Sequence, residues 1–593
     1  MNADAARAAF ASRPAWILLL ALLFAAKLGV MLLGANRGLD VGDDGVFLFS
    51  LNEPALSPPL FEFYKLLGHL DPPPRFDFLD IRLLRIAAEL AATLALALAA
   101  FGWARARFAS VAASGFAPIL LVALLGSLLG VGARGFGYND ATNVVLFAAG
   151  ACLFRLLAEP RGARALAWSA AAGFAIGFQL FVKFPSALLL LGVAGCGVAW
   201  LPGAGWRGRA AIGAALLAGA AAAIGLFVLS NGGVAPLVAK WRDAQQLNRI
   251  AGYGVREILA VYYHHDNGSH VNGLRLWASV AAVFAAARWW LRGRPDAGDR
   301  ALAVALAVGA AVLAWGSWTY HAVNVHPTLV FLFCLVVLLA PLSWALAFRV
   351  WRAPPADPSL RRDAALVPLL LPMALPVIAI LGTNVALTLK LPGHVAPVFL
   401  VLAILLSELA RAGYRRFAAT SLGLLAVATS AAFVEHHVLR PYGLPSALYE
   451  QTLATPLLPE LRVDAATKDF VEDVHRHLVE AGFEPGDPVI ALDFMPGLVA
   501  AVGGRSPGFP FYAFDKAAQN CWAIERAALE EPPFLLLGQD MLLAQHACIR
   551  AFAFPEQFRL VAALRNPYEA AIRYFFGGPP MPYVRVFAPV ARR

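Results

Sequence analysis

Gly38-Leu39-Asp40-Val41-Gly42-Asp43-Asp44-Gly45-Val46-Phe47 follows the first long apolar run of the chain, residues 15 to 34, where a segment leaving a bilayer meets water again. Three carboxylates within five residues, set between glycines that permit tight turns, add little to packing and suit a charged site. Whether this stretch borders a membrane or belongs to a soluble loop settles the architecture.

Composition places it at a membrane. The chain has 593 residues, 60% of them hydrophobic and 15% charged, with a mean hydropathy of +0.66, which excludes an ordinary soluble protein and indicates a polytopic α-helical membrane protein. A net charge of +10 raises nucleic acid as a partner, but the basic residues fall in short clusters between apolar runs, which is a pattern of topology and not of a nucleic-acid surface. Met1 to Arg13 leads into an apolar run without a small-residue cleavage site, so the first span is expected to stay as an anchor. Of the five cysteines, Cys152, Cys196 and Cys334 lie in apolar runs as small hydrophobes. Cys521 and Cys548 share a polar region, where a disulfide is open to them in an oxidising compartment.

Apolar runs of spanning length fall near 15–34, 83–103, 111–131, 143–158, 166–181, 184–201, 211–229, 273–291, 301–317, 328–348, 364–382, 395–411 and 417–434, thirteen in all. Arginine clusters occupy every second connection: 105 and 107, 155 to 164, 207 and 209, 288 to 300, 349 to 362, and 411 to 416. All six lie on one side of a thirteen-span chain, which puts the N-terminus in the cytoplasm and the C-terminus outside.

The outer face carries different material. The first outer loop, residues 35–82, holds eight acidic against four basic residues between Arg37 and Arg82 and is long enough for one or two amphipathic helices along the membrane surface. A second long outer loop, residues 231–272, is rich in Tyr, His and Arg, and short polar loops span Arg134 to Asn143, Ser317 to His326 and Thr383 to His394. The spans make one unit, residues 1–434. Residues 435–593 read as a soluble α/β unit, with helices at 464–481, 516–529 and 541–551 alternating with strands at 488–492, 534–537, 559–564 and 583–587.

Ionisable groups at a membrane surface are functional candidates. Asp43 and Asp44 lead them. Two adjacent acids exceed what capping the helix that starts near Gly45 requires, and residues adjacent on a helix point about 100° apart, so one can cap while the other faces a cavity. Lys183, ahead of Phe184-Pro185, marks a break between spans, where it either meets a phosphate or anchors the interface. Arg134, Tyr138 and Asn139 offer donors for an anion or for sugar hydroxyls. Tyr263, His264 and His265 suit sugar stacking or lipid headgroups; as adjacent histidines diverge on a helix, no metal site is assigned to them. His321, His326, Lys390 and His394 share the outer face, as interfacial anchors or as the lining of a positive cavity.

Thirteen spans, the acidic first outer loop, Gly177-Phe178-Gln179-Leu180-Phe181-Val182-Lys183-Phe184-Pro185 and an outer α/β unit together resemble the GT-C superfamily of integral-membrane glycosyltransferases. The outline is similar to that of the bacterial aminoarabinose transferases of lipid A and the protein O-mannosyltransferase-like enzymes. Asp43-Asp44-Gly45 stands where that family places an Asp-Glu or similar pair, with Asp in place of the Glu. The resemblance implies a bacterial inner-membrane enzyme with a periplasmic C-terminal domain that moves a sugar from a polyprenyl-phosphate donor, with inversion, to a lipid, glycan or protein acceptor. It implies an Asp base, Asp43 or Asp44, with Lys183 and Arg134 beside the leaving phosphate. A divalent metal is left open. The competing readings are a lipid-linked oligosaccharide polymerase or ligase and a secondary transporter, though no internal repeat marks the latter.

Overall fold

The computed structural model describes residues 13–54, 62–69, 75–129, 135–201, 204–250, 256, 260, 267–291, 296–319, 327–352, 366–383, 387–442, 445–453, 460–508, 517–526, 529, 531–538, 554–569 and 581–590. Helix α1 (Arg13–Leu33) leads to α2 (Asp43–Asn52), a 3-10 turn (Glu62–His69) and α3 (Phe78–Arg105). Then follow α4 (Ala109–Ser114), α5 (Phe116–Leu125), α6 (Tyr138–Ala158), α7 (Gly162–Gln179), α8 (Phe184–Ala199), α9 (Trp206–Ser230) and α10 (Val234–Ile250). The helical part closes with α11 (Asn267–Trp290), α12 (Ala297–Thr319), α13 (Pro327–Arg352), α14 (Leu370–Ile380), α15 (Leu387–Lys390), α16 (Ala396–Arg411) and α17 (Arg415–Val434).

Helix lies within each of the thirteen apolar runs, but among the described residues seven helices are long and apolar enough to cross a bilayer. They are Pro14–Leu33, Phe78–Arg105, Tyr138–Ala158, Trp206–Ser230, Ala297–Ser317, Pro327–Val350 and Arg415–Leu439; three shorter apolar helices cover Phe116–Leu125, Phe184–Ala199 and Val367–Ile380. The third run falls short because Gly115, at φ +79°, breaks it into α4 and α5. Where two helices carry small residues they approach closely: a Cβ on Gly173 of α7 would come within 1.9 Å of the Leu216 carbonyl oxygen of α9, and one on Gly219 would meet that of Ala170 at the same distance.

Three expected loops are partly helical. Tyr138 and Asn139 sit in the first turn of α6 and not in a loop, because Asp140 accepts the Gly137 N–H at 2.9 Å and starts the helix early. The loop at 231–272 contains α10 and the beginning of α11. The first outer loop contains helix α2, in which Asp44 through Leu51 are all buried, against the C-terminal unit.

That unit pairs β1 (Gln451–Thr452) with β2 (Arg462–Val463) and adds α18 (Ala465–Glu480), β3 (Val489–Ala491), α19 (Pro496–Ala501), α20 (Ala517–Glu525), β4 (Phe534–Leu537), β5 (Phe558–Arg565) and β6 (Tyr583–Pro589). The larger sheet runs β3-β4-β6-β5; β3 and β4 are parallel and the other pairs antiparallel. The short strands Val489-Ile490-Ala491 and Phe534 to Leu537 are buried throughout, as expected of parallel strands covered on both faces. Asp464 caps α18 by accepting the Thr467 N–H at 3.1 Å, and Phe470, Val471, Val474 and Leu478 give it one buried apolar face. The expected helix at 541–551 lies outside the described residues.

The C-terminal unit grips the first outer loop through backbone. Gly38 N–H donates to Arg462 O and Arg462 N–H to Asn36 O, each at 2.7 Å, and Gly497 N–H donates to Val41 O at 2.7 Å. A Cβ on Gly45 would stand 2.2 Å from Gly497 N, and one on Gly497 would stand 2.0 Å from Asp40 O. One apolar cluster joins Leu39, Val46, Phe47 and Phe78 to Val471, Val489 and Leu498, so loop and sheet share a core.

Candidate active site

The glycine-flanked acids begin α2, whose cap residue Gly42 is held by Asp40, the Oδ1 of which accepts the Gly42 N–H at 2.8 Å. Asp43 and Asp44 therefore both occupy the first turn, where the helix dipole favours negative charge. From there they part. Asp44 is fully buried: its Oδ2 meets Arg82 Nη2 at 3.0 Å and Nε at 3.2 Å and accepts the Tyr442 hydroxyl at 3.3 Å, while its Oδ1 accepts the Gly135 N–H at 2.8 Å. Arg82 in turn donates to the carbonyls of Ala35 and Gly38 at 2.9 Å. Asp44 is thereby bound to the start of α3, the segment just before α6 and the C-terminal unit at once.

Asp43 is half-buried and within electrostatic reach of Lys390. Burial pushes its carboxyl up to about 6, Lys390 pulls it down and the neighbouring Asp44 pushes it up further. A carboxyl at that value is a carboxylate at neutral pH yet basic enough to accept a proton. Asp40, raised well above the ordinary range by burial and by Asp44 and Asp43, is occupied with its turn. The Tyr64 phenol is also within electrostatic reach of Asp43 and donates to Phe136 O at 3.2 Å.

Cations gather beside Asp43. Burial lowers the Lys390 ammonium while Asp43 and Asp140 raise it, and Arg85 is near enough to act on it. Arg85 Nε lies 2.9 Å from Asp140 Oδ1, both buried. Lys183 stands at the N-cap of α8, with Pro185 in its first turn as the break between spans requires, and donates to the Ala379 carbonyl near the end of α14. His394 Nδ1 faces Asn143 Oδ1 at 2.5 Å, and Asn143 Nδ2 donates to Glu89 Oε1 at 3.2 Å and to Gly393 O at 3.0 Å. His394 is near enough to feel the charges of Lys183, Lys390 and Arg85, and Lys390 in turn acts on Lys183 and is acted on by Arg85. Such a group can hold an anion against the bundle.

Of the residues expected from sequence, the structure thus brings together Asp43, Asp44, Lys183, Lys390 and His394. Tyr138 and Asn139 are half-buried next to Asp140, and the buried Asn139 Oδ1 has no hydrogen-bond partner among the described residues. Arg134, Tyr263, His264, His265, His321 and His326 lie outside the described residues. Sequence reasoning missed Arg82 and Arg85 as site residues. Their spacing was the available signal, since 82, 85 and 89 share one face of α3, and Asp140 and Asn143 one face of α6. Among the described residues no three His, Cys, Asp or Glu side chains converge as metal ligands.

No family model matches the chain, and no curated protein matches it. Among solved structures it is similar to ArnT from Cupriavidus metallidurans, in the apo state at 14% identity and TM-score 0.38, covering 97% of this chain and 98% of that one. The same protein bound to undecaprenyl phosphate gives 15% identity and TM-score 0.40, over 97% and 99%. The Archaeoglobus fulgidus oligosaccharyltransferase, in a complex with zinc and sulfate, gives 12% identity and TM-score 0.44, over 95% of this chain and 70% of that one.

Proposed function

We propose that the chain is an integral-membrane glycosyltransferase of the GT-C kind, which moves a sugar from a polyprenyl-phosphate donor to an acceptor hydroxyl outside the cytoplasm. The observation that carries this reading is the placement of the Asp43 carboxyl within electrostatic reach of Lys390, with Arg85 and Lys183 around that lysine, in a loop clamped on two sides. A base and a cation cluster side by side suit a reaction in which a hydroxyl loses a proton while a phosphate departs.

Asp43 takes the proton of the acceptor hydroxyl, and the oxygen forms its bond to the anomeric carbon. The bond from that carbon to the phosphate oxygen breaks on the opposite face, so the configuration inverts. The electron pair leaves with the polyprenyl phosphate, whose charge Lys183, Lys390 and Arg85 offset; Arg134 joins them in the expectation from sequence. Asp43 then returns its proton to water. Asp44 holds the loop through Arg82 and needs no proton transfer of its own. The prenyl tail lies between apolar helices, and the acceptor, a lipid, a glycan or a protein, approaches from the C-terminal unit. The reading places the protein in a bacterial inner membrane with thirteen spans, residues 1–434 as the membrane unit and residues 435–593 in the periplasm.

Purified protein given radiolabelled polyprenyl-phosphate sugar and membrane extract is expected to transfer the label and release polyprenyl phosphate. Label that stays on the donor, with a well-folded protein, contradicts the reading. Reporter fusions after Arg416 and after Arg593 are expected to report opposite sides of the membrane, and the same side for both contradicts the topology.

A further inference from the structure

Asn143 is buried on α6, and both polar atoms of its side chain are engaged. Its Nδ2 donates to Gly393 O at 3.0 Å and to Glu89 Oε1 at 3.2 Å, and its Oδ1 faces His394 Nδ1 at 2.5 Å. A backbone carbonyl can only accept, so the amide end beside Gly393 O is the NH2 group, whatever the protonation of Glu89 or His394. The other end is then the oxygen, which also can only accept. The proton between Asn143 and His394 therefore sits on Nδ1, and a neutral His394 has a bare Nε2.

The amide is itself held from behind. Glu89 of α3 is buried, and its second oxygen accepts the Leu128 N–H at 3.2 Å. Leu128 has φ +57°, a region that leucine occupies only where its surroundings enforce it. Lys27 of α1, also buried and within electrostatic reach of Glu89, donates to the carbonyls of Leu125 and Ser127 in the same turn. Helices α1, α3 and α6 and the turn after α5 thus converge on one ring, at the end of a 3-10 turn (Leu391–His394). Buried charges add little stability beyond apolar packing, so this chain of contacts is better explained by what it orients.

The oriented ring lies among cations. Lys183, Lys390 and Arg85 all act on His394, and burial together with their charges holds the imidazole well below its ordinary value. Those three side chains are donors only. A ring with its proton on Nε2 would set one more donor against them. A ring with its proton on Nδ1 supplies an acceptor that carries no negative charge, so the positive charge of the cluster stays available to an anion. We propose that Asn143, supported by Glu89, is a positioning residue that keeps His394 in the Nδ1–H tautomer, so that Nε2 serves the cation cluster as an uncharged hydrogen-bond acceptor. Only the consequence for donor binding rests on the glycosyltransferase reading.

The test is nitrogen NMR of the full chain in detergent at neutral pH, with its histidine rings isotope-labelled. The chain has 12 histidines, and the signal lost in both His394→Gln and His394→Asn belongs to His394. That signal is expected to show a protonated Nδ1 and an unprotonated Nε2. In Asn143→Leu the ring is released, and the Nε2–H form is expected to appear. Titration with polyprenyl phosphate gives a second readout, in which Asn143→Leu and His394→Asn each bind about tenfold more weakly. His394→Gln, whose amide oxygen reaches the place of Nε2, is expected to keep most of the affinity. A wild-type proton on Nε2, an unchanged tautomer in Asn143→Leu, or equal loss of affinity in His394→Gln and His394→Asn overturns the proposal. The expected tautomer in a wild type that binds no polyprenyl phosphate supports the positioning of His394 and contradicts the glycosyltransferase reading alone.

Discussion

The Asp44 carboxylate closes on the Arg82 guanidinium at 3.0 Å with both side chains buried, and that one ion pair fixes the path of the loop from Ala35 to Gly45. Removing either partner strands a buried charge, which costs about 3–5 kcal/mol. Asp44→Ala and Arg82→Met are each expected to lower thermal stability by a corresponding shift, and Asp44→Leu/Arg82→Met by less than the sum of the two. Single variants as stable as the wild type contradict a structural role for the pair.

Backbone contact at Gly45 and Gly497 leaves no room for a methyl group. Gly45→Ala and Gly497→Ala are expected to cost about 1–3 kcal/mol or more, as overpacking does. The loss is local, so limited proteolysis should cut between the membrane unit and the C-terminal unit sooner than in the wild type. An unchanged cleavage pattern would show that the seam gives way easily.

Asp43 sets two pH dependences with opposite signs. Its carboxylate is the working form, so the transfer rate is expected to rise with pH through about 6 and then level off. Its folded value lies above the ordinary 3.8, so the native state binds the proton more tightly than the unfolded state does. Stability from this group is full below 3.8 and is lost as pH rises to about 6. Asp43→Asn is therefore expected to transfer sugar far more slowly yet to be more stable than the wild type above pH 6. Lys390→Met removes the cation that lowers Asp43 and should move the midpoint of the rate profile to higher pH. A midpoint that stays in place separates Lys390 from Asp43.

Lys183 bonds the Ala379 carbonyl in this structure, so its ammonium is already aimed at the helix ends around the cation cluster. Lys183→Ala is expected to weaken binding of the polyprenyl-phosphate donor about ten- to a hundredfold, the worth of a charge-assisted hydrogen bond, with acceptor affinity little changed. Equal loss for donor and acceptor indicates a helix anchor and no phosphate contact.

Apolar runs and turn residues made the helices, the break at Lys183 and most strands of the C-terminal sheet readable from sequence, because burial and backbone chemistry act locally there. The extent of α6 was not, since its first turn is polar and only the Asp140 cap keeps it helical. The difference between Asp43 and Asp44 was also hidden. It depends on Arg82, Gly135 and Tyr442, up to 398 positions away, and on a C-terminal unit that closes over the loop. The glycines around the acids suggested tight turns, whereas Gly45 serves close approach to Gly497. Cys521 is disulfide-bonded, which the sequence left open, and Cys548 lies outside the described residues.

The role of Asp43 is tested most directly by single-turnover transfer from a labelled polyprenyl-phosphate sugar, wild type against Asp43→Asn, with donor binding measured in parallel. The expected result is a rate lowered roughly 10²- to 10⁴-fold with donor affinity retained. A folded Asp43→Asn protein that transfers the sugar at the wild-type rate contradicts it.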